Sequence, residues 1–194
     1  MENHYDRLRF IMAVVLIAGA TAAPGIASAQ QKTHQEEHMP STTKIQIPES
    51  MRAEHKEIHE ALVRATKLDG KVGVAARELA AVLHPHFQRE EEIALPPLGL
   101  LAPLARGEST PDMRDVLRMT DALRAELPRM LEEHKAISAA TVRLRDVARS
   151  ERNPEVERLA DQLLLHARGE EELFYPAAIL VGDVVRARMN LVPR

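Results

Sequence analysis

A two-part sequence pattern occurs twice along this chain, in the same order and at nearly the same spacing. The first part reads E-H-K-x-I and contains His55 in one copy and His134 in the other. The second part reads H-x3-E-E-E-x3-P, and its histidine comes 31 residues after His55, as His86, and 32 residues after His134, as His166. A repeat of this kind predicts two similar structural units that pack as a pseudo-symmetric pair, with the four histidines facing one another.

Helical signals cover the chain from residue 48 onwards. Pro48 suits the first turn of a helix, Asp69-Gly70 ends that helix, and Thr110-Pro111-Asp112 and Asn153-Pro154 mark the start of later ones. We predict helices over residues 48–68, 72–95, 110–149 and 153–175, a loop over residues 96–110, and a shorter helical tail after residue 176. Four helices of roughly 20 residues without a convincing strand predict an all-α, up-down four-helix bundle made of two similar hairpins.

The composition narrows the classes of function. Aromatic residues make up only 3% of the chain and the formal net charge is -3, so neither a base-stacking surface nor a phosphate-binding surface for nucleic acid is expected. Cysteine is absent, which excludes disulfides, thiolate metal ligands and cysteine nucleophiles. The nine histidines are therefore the most informative polar residues of the chain.

The first 29 residues have the pattern of a secretory signal peptide. Two arginines precede an uncharged, largely apolar run over residues 10–23, and Ala27-Ser28-Ala29 forms an A-x-A cleavage site. A transmembrane helix is the alternative, but spanning a membrane takes about 20 apolar residues, and Pro24-Gly25 interrupts the run. We therefore predict export to the periplasm or the medium, with no stable membrane insertion after cleavage.

The rest of the chain divides into three parts. Residues 30–47 are polar, non-periodic and broken by Pro40, which predicts a flexible linker. We place the four-helix bundle at residues 48–182 and a C-terminal tail at residues 183–194.

Each of the matched histidines lies on an apolar helix face. On two of these faces a carboxylate follows the histidine after four residues and an apolar side chain follows after seven. These carboxylates are Glu90 and Glu170, and the apolar residues are Ile93 and Leu173. Glu91 lies off the His86 face. An unpaired carboxylate in the core costs several kcal/mol because its hydration is lost, whereas a metal ion would make both carboxylates ligands.

A donor set of imidazoles and carboxylates without thiolate suits iron, and manganese or zinc less well. Hydrogen-bonded core histidines and surface glutamates are the simpler alternative for any one of these residues, but the matched repeat argues against it for the whole set. Another common bundle site uses E-x-x-H on two helices. No histidine of this chain has a glutamate three residues before it, so a ferritin-like site is not expected.

The two copies of both motifs resemble the hemerythrin family, specifically its hemerythrin-like HHE cation-binding domain, over about residues 48–176. The resemblance implies a four-helix bundle around a non-haem di-iron centre, with two iron ions per chain. The ligands that it implies are His55, His86, Glu90, His134, His166 and Glu170.

Two departures separate this chain from the O2-carrying hemerythrins. Those proteins have a pair of histidines one turn apart on the third helix and an aspartate five residues after the last histidine. Here Ser138 lies one turn after His134, and the last helix has Glu170 instead. The one-turn pair is His55 with His59, so His59 is a further candidate ligand, with a core or supporting histidine as the alternative.

The function expected from this pattern is an exported hemerythrin-like protein that binds or senses O2, nitric oxide or peroxide, or handles iron. A di-iron oxidase or an enzyme that consumes peroxide or nitric oxide is a second possibility. We rank it lower because no further acid–base constellation or substrate pocket can be recognised. A metal-free helical interaction module is the third, and it predicts a bundle that folds equally well in chelator.

Overall fold

A computed structural model describes residues 45–108 and 113–189 of the chain. Within these ranges the protein contains helices and no β-strand, which confirms the all-α prediction. The helices are α1 (Glu49–Thr66), α2 (Gly70–Ile93), α3 (Leu101–Ala105), α4 (Met113–Ser150), α5 (Pro154–Gly169) and α6 (Tyr175–Arg188). A 3-10 turn, Pro96–Leu100, precedes α3, and a π-helical turn, Glu170–Phe174, joins α5 to α6.

The four long helices form the predicted bundle. Helix α1 packs against α2 and α5, and α4 packs against α2 and α5, so each long helix has two long neighbours. The connections from α1 to α2 and from α4 to α5 are only three residues long, which makes the helices of each hairpin antiparallel neighbours. Helix α6 continues beyond α5 and packs against α4.

The start signals read from the sequence are visible at two of these helices. Pro48 precedes the first residue of α1, and Glu49 places a negative charge in its first turn. The Asn153 side chain accepts a hydrogen bond of 3.1 Å from the backbone N–H of Val156, so Asn153 caps α5, with Pro154 in the first turn. The predicted cap at residues 110–112 lies outside the described residues.

The prediction of a loop over residues 96–110 is wrong for its first ten residues. Pro96–Leu100 is a 3-10 turn and Leu101–Ala105 is helix α3. Proline is compatible with a first helical turn, and three leucines of this stretch are buried in the core, so apolar burial outweighs the turn-forming composition. These leucines are Leu98, Leu100 and Leu104.

The ends of the bundle also differ from the predicted boundaries. Helix α6 continues past residue 182 to Arg188, and Val185 is fully buried against the core. At the other end, Ile45 and Ile47 pack against core clusters, although we assigned them to the linker. In both places the deciding interaction is burial of an apolar side chain, which local polarity and periodicity do not reveal. The predicted signal peptide and most of the linker lie outside the described residues.

The core contains two large apolar clusters, one on each side of a polar layer. The first cluster lies towards the hairpin turns and includes Ile58 and Leu163. The second includes Met51, Met130 and Tyr175. The matched histidines fall between these clusters along the helices, as the apolar stripes predicted. None of the helices described is both long and apolar enough to cross a membrane.

Candidate metal centre

All six residues implied as ligands lie in the polar layer, and each is at most 4% exposed. Helix α1 contributes one histidine, α2 a histidine and a glutamate, α4 one histidine, and α5 with the π turn a histidine and a glutamate. The six residues are His55, His86, Glu90, His134, His166 and Glu170. The tertiary structure therefore brings together side chains that are up to 115 residues apart in the sequence.

The six residues form two groups of converging ligand atoms. In the first group, which consists of His86, Glu90, His134 and Glu170, one ligand atom from each residue lies within 4.8 Å of all the others. In the second group, which consists of His55, His166 and Glu170, the same limit holds. Each group has the size and the donor types of a site for one cation.

Glu170 belongs to both groups through different oxygen atoms. Its Oε2 lies 3.5 Å from Nε2 of His134 in the first group. Its Oε1 lies 3.0 Å from Nε2 of His166 and 3.4 Å from Nε2 of His55 in the second. Glu90 also extends between the groups, since its Oε1 lies 3.2 Å from Nε2 of His86 and its Oε2 lies 3.9 Å from Nε2 of His55. Both carboxylates are thus placed to bridge two ions.

The other ring nitrogen of each histidine faces an acidic side chain from a different helix. The Nδ1 atom of His86 lies 2.9 Å from Glu133, and that of His134 lies 2.8 Å from Glu171. The corresponding distances are 3.5 Å from His55 to Glu91 and 3.4 Å from His166 to Glu54. At His86 and His134 this contact is a hydrogen bond, and an acceptor at Nδ1 holds the tautomer and orientation in which Nε2 points at the metal position.

These four glutamates were not identified as part of the site from the sequence, although the signal was present. Glu54 and Glu133 are the first residues of the two E-H-K motifs, and Glu91 and Glu171 are the middle residues of the two E-E-E triplets. Glu91 does lie off the His86 face, but it faces His55 of α1. A contact with a different helix cannot be read from the face of a single helix.

Tyr175 is a further residue of the site that the sequence did not reveal. Its hydroxyl donates a short hydrogen bond to Oε1 of Glu90, and it also lies 3.1 Å from Nε2 of His134 and 3.4 Å from Nε2 of His86. The residue is 1% exposed. Burial, together with the charge of Glu90, raises the pKa of Tyr175 above its usual range, so without a bound ion the phenol keeps its proton.

The position of Tyr175 depends on the π turn. Leu173 was predicted to share the face of His166, but it is 63% exposed. The π turn is one residue wider than an α turn, so it rotates Leu173 out to solvent and Tyr175 into the core. Gly169, immediately before the turn, has low helix propensity, and this favours a local departure from α geometry.

Phe87 lies beside the second group. Its ring stacks on the imidazole of His55, with ring centroids 4.1 Å apart and an interplanar angle of 17°. It also lies edge-on to His166, at a centroid distance of 5.7 Å. An apolar ring in this position excludes water from the second group and restricts the orientation of His55.

His59 lies outside both groups. The residue is exposed, and its ring faces that of His84 at a centroid distance of 5.9 Å. His59 lies one helical turn after His55, at the bundle surface. At this point of α1 the core face is occupied by Ile58 and Leu62. The structure therefore places His59 neither among the converging ligand atoms nor in the core.

The charges of the site are mutually stabilised. Burial by itself lowers the pKa of His86, but its interactions with Glu90 and Glu133 outweigh burial and raise the pKa to about 9. The pKa values of His134 and His166 are also raised: burial opposes the shift, and carboxylates overcome it. Burial favours a higher pKa for Glu90, yet hydrogen bonds from His134 and His86 hold that pKa below its usual range.

Several buried polar atoms of the site have no hydrogen-bond partner among the described residues. They are Nδ1 of His55, Oε2 of Glu90, and both ring nitrogens of His166. A buried polar atom without a partner costs free energy, because it gives up its hydrogen bonds to water. A cation at the two groups would accept lone pairs from the inward-facing atoms, so the residues present fit a metal centre that uses nitrogen and oxygen donors.

This arrangement defines a class of protein: a four-helix bundle whose core contains a histidine–glutamate cluster able to hold metal. Comparison with known families agrees, since the family described as the hemerythrin HHE cation binding domain matches residues 46–178. The chain belongs to this family. No curated protein and no solved structure shows a significant match to the chain.

Proposed function

We propose that this chain is an exported hemerythrin-like protein that holds two iron ions and, through them, binds or senses O2 or a related small ligand. One observation supports this most directly: Glu170 directs one carboxylate oxygen to each of two histidine groups. A carboxylate that faces two groups in this way suits a pair of ions rather than a single one.

Iron is the metal that best matches the donor set. Four imidazoles and two carboxylates without sulfur suit a borderline cation with octahedral preference. If both carboxylates bridge, the six residues fill eight of about twelve positions on two octahedral ions. The open positions are available to a small ligand. Bound iron would supply redox-active positions that hold such a ligand reversibly.

The side chains around the site have recognisable tasks in this proposal. Glu133 and Glu171 hold the imidazoles of His86 and His134 in the orientation that directs Nε2 inwards. Glu91 and Glu54 place a negative charge beside Nδ1 of His55 and of His166. Phe87 and the two apolar clusters keep water away from the polar layer. This environment favours small uncharged ligands such as O2 and nitric oxide, since a charged or large molecule has no comparable route through a packed bundle.

The decisive experiment measures metal content and ligand binding of the purified full-length chain. We expect two iron ions per chain, and an optical spectrum that changes when O2 or nitric oxide is added to the reduced protein. Glu170→Ala should lower the iron content. Glu172→Ala is its matched control, because Glu172 ends the E-E-E triplet that Glu170 begins but is exposed. Equal melting temperatures in iron and in chelator would contradict the proposal and favour a metal-free interaction module.

A measurement of turnover distinguishes the enzymatic alternative from the binding proposal. The iron-loaded protein should bind O2 or nitric oxide stoichiometrically and should not consume hydrogen peroxide or nitric oxide continuously. Sustained consumption at a rate that scales with protein concentration would replace the binding proposal with an enzymatic one.

A further inference from the structure

The hydroxyl of Tyr175 lies at the first group of ligand atoms and not at the second. Three inward-facing atoms of the first group surround this oxygen: Oε1 of Glu90, Nε2 of His134 at 3.1 Å and Nε2 of His86 at 3.4 Å. The second group has no such phenol among the described residues, and its nearest aromatic ring is the phenyl ring of Phe87, stacked on His55.

The backbone places Tyr175 in register with Glu170. In the π turn, the backbone N–H of Tyr175 donates to the carbonyl of Glu170, five residues earlier. In a regular α-helix a residue at +5 points about 140° away from its partner, because each residue turns by about 100°. The wider π turn reduces this angle, so Tyr175 faces the polar layer together with Glu170.

The matched position in the other hairpin is Leu95. It follows Glu90 by five residues, as Tyr175 follows Glu170, and its backbone N–H donates to the Glu90 carbonyl at 2.9 Å. Leu95 is fully buried. The two hairpins therefore repeat the backbone arrangement but not the side chain, and only one hairpin supplies an oxygen donor at this point.

The spacing around the phenol oxygen suits a shared ion. Neighbouring ligands of an octahedral ion, each about 2.1 Å from it, lie about 3 Å apart. The distances of 3.1 and 3.4 Å from the hydroxyl to the two imidazole nitrogens are close to this value. Tyrosinate is a known protein ligand of iron.

We propose that the phenol oxygen of Tyr175 is a seventh protein ligand, to the iron ion of the first group only, so that the two irons of the centre are chemically distinct. This inference rests on the proposed function. On binding, the O–H bond of the phenol breaks, its proton passes to solvent, and an oxygen–iron bond forms, with no change in the oxidation state of either partner.

The test is the optical and resonance Raman spectrum of the full-length chain loaded with ferric iron. A phenolate bound to ferric iron produces a charge-transfer band in the visible range, and excitation in that band enhances the ring vibrations of the tyrosine. The chain has two tyrosines, Tyr5 and Tyr175. In Tyr5→Phe the only remaining tyrosine is Tyr175, so the wild-type spectrum should be retained in this variant. That comparison does not require a substitution in the core.

Tyr175→Phe keeps the ring and removes the oxygen. We expect the visible band and the enhanced tyrosine vibrations to disappear completely. Loss of the band together with one of the two ions supports the proposal equally, because a ligand has been removed.

Two results would overturn the inference while leaving the proposed function intact. One is wild-type protein with two ferric ions and no phenolate band, which would make Tyr175 a hydrogen-bond donor only. The other is a phenolate band that persists in Tyr175→Phe. Wild-type protein that binds no iron would overturn the proposed function and this inference with it.

Discussion

Oε2 of Glu133 on α4 lies 2.9 Å from Nδ1 of His86 on α2. The matched pair in the other half of the repeat is Glu54 with His166, at 3.4 Å. In both cases the glutamate precedes the histidine of its own helix and faces the histidine of another helix. Each E-H-K motif therefore contributes in two ways: its histidine is a candidate ligand, and its glutamate faces a candidate ligand of another helix. This accounts for the recurrence of both residues.

Removal of the Glu133 carboxylate should weaken metal binding without abolishing it. We expect Glu133→Ala to lower metal affinity by about 10- to 100-fold, because the imidazole of His86 loses the partner that orients it. Competition titration against a chelator of known affinity measures this change. Glu132→Ala is the matched control, since Glu132 is exposed and pairs only with Lys135 among the described residues. Equal affinities of the two variants would contradict an orienting role.

The E-E-E triplet of the second hairpin should show a graded response. Glu170→Ala removes a residue of both groups and should lower iron content and thermal stability together. At metal concentrations of 100 to 1,000 times Kd, binding stabilises the fold by about 3–4 kcal/mol. Glu171→Ala should have an intermediate effect on affinity through His134, and Glu172→Ala almost none. Calorimetry with iron analysis measures both quantities, and similar behaviour of all three variants would refute the assignment of faces.

His55 and His59 lie one turn apart on α1, and their substitution should distinguish a site residue from a surface residue. His55→Ala should lose at least one ion, because it removes an inward-facing nitrogen of the second group. His59→Ala should keep both ions, because His59 is exposed and faces His84. Iron analysis with optical spectra of both variants decides this, and equal losses would promote His59 to a ligand.

Without metal, the fold should lose stability as the pH rises from about 6.5 to 9. The pKa of His86 is raised to about 9 in the folded chain, so its proton stabilises the fold fully below its ordinary value of 6.5 and progressively less as the pH approaches 9. The loss contributed by His86 is about 1.4 kcal/mol per pH unit in this range, and His134 and His166 act in the same direction.

Urea titrations in chelator across this pH range measure the loss of stability. His86→Gln is the control variant, since it removes one of the titrating groups and should make the pH dependence less steep. An increase in stability of the metal-free wild type over the same range would show that the carboxylates do not hold the protons on these histidines.

Export remains a prediction from the sequence, and it has its own test. Because Ala27-Ser28-Ala29 follows a short apolar run, we expect the mature protein to begin at Gln30. The intact mass of the protein recovered from its native host measures the cleavage site. Recovery of the uncut chain in the membrane fraction would contradict export by cleavage.

The sequence by itself determined the helical bundle, its division into two hairpins and the six residues that converge in the core. These features are carried by periodicity along single helices. The spacing from His86 to Glu90 puts both on one face, and the repeat at His166 and Glu170 shows that the face has a counterpart. Local geometry is enough for such inferences, because positions one turn apart in a helix are neighbours whatever the rest of the chain does.

Only the tertiary structure decided which residues of different helices meet, and this is where the sequence-based account was incomplete. The contact of Glu91 with His55 depends on the packing of α2 against α1, and the exposure of His59 depends on how α1 is rotated within the bundle. The entry of Tyr175 into the site depends on a π turn that the sequence pattern does not specify. A single extra residue in one turn changes which side chain faces the core, and packing selects that turn by burying the tyrosine and exposing Leu173.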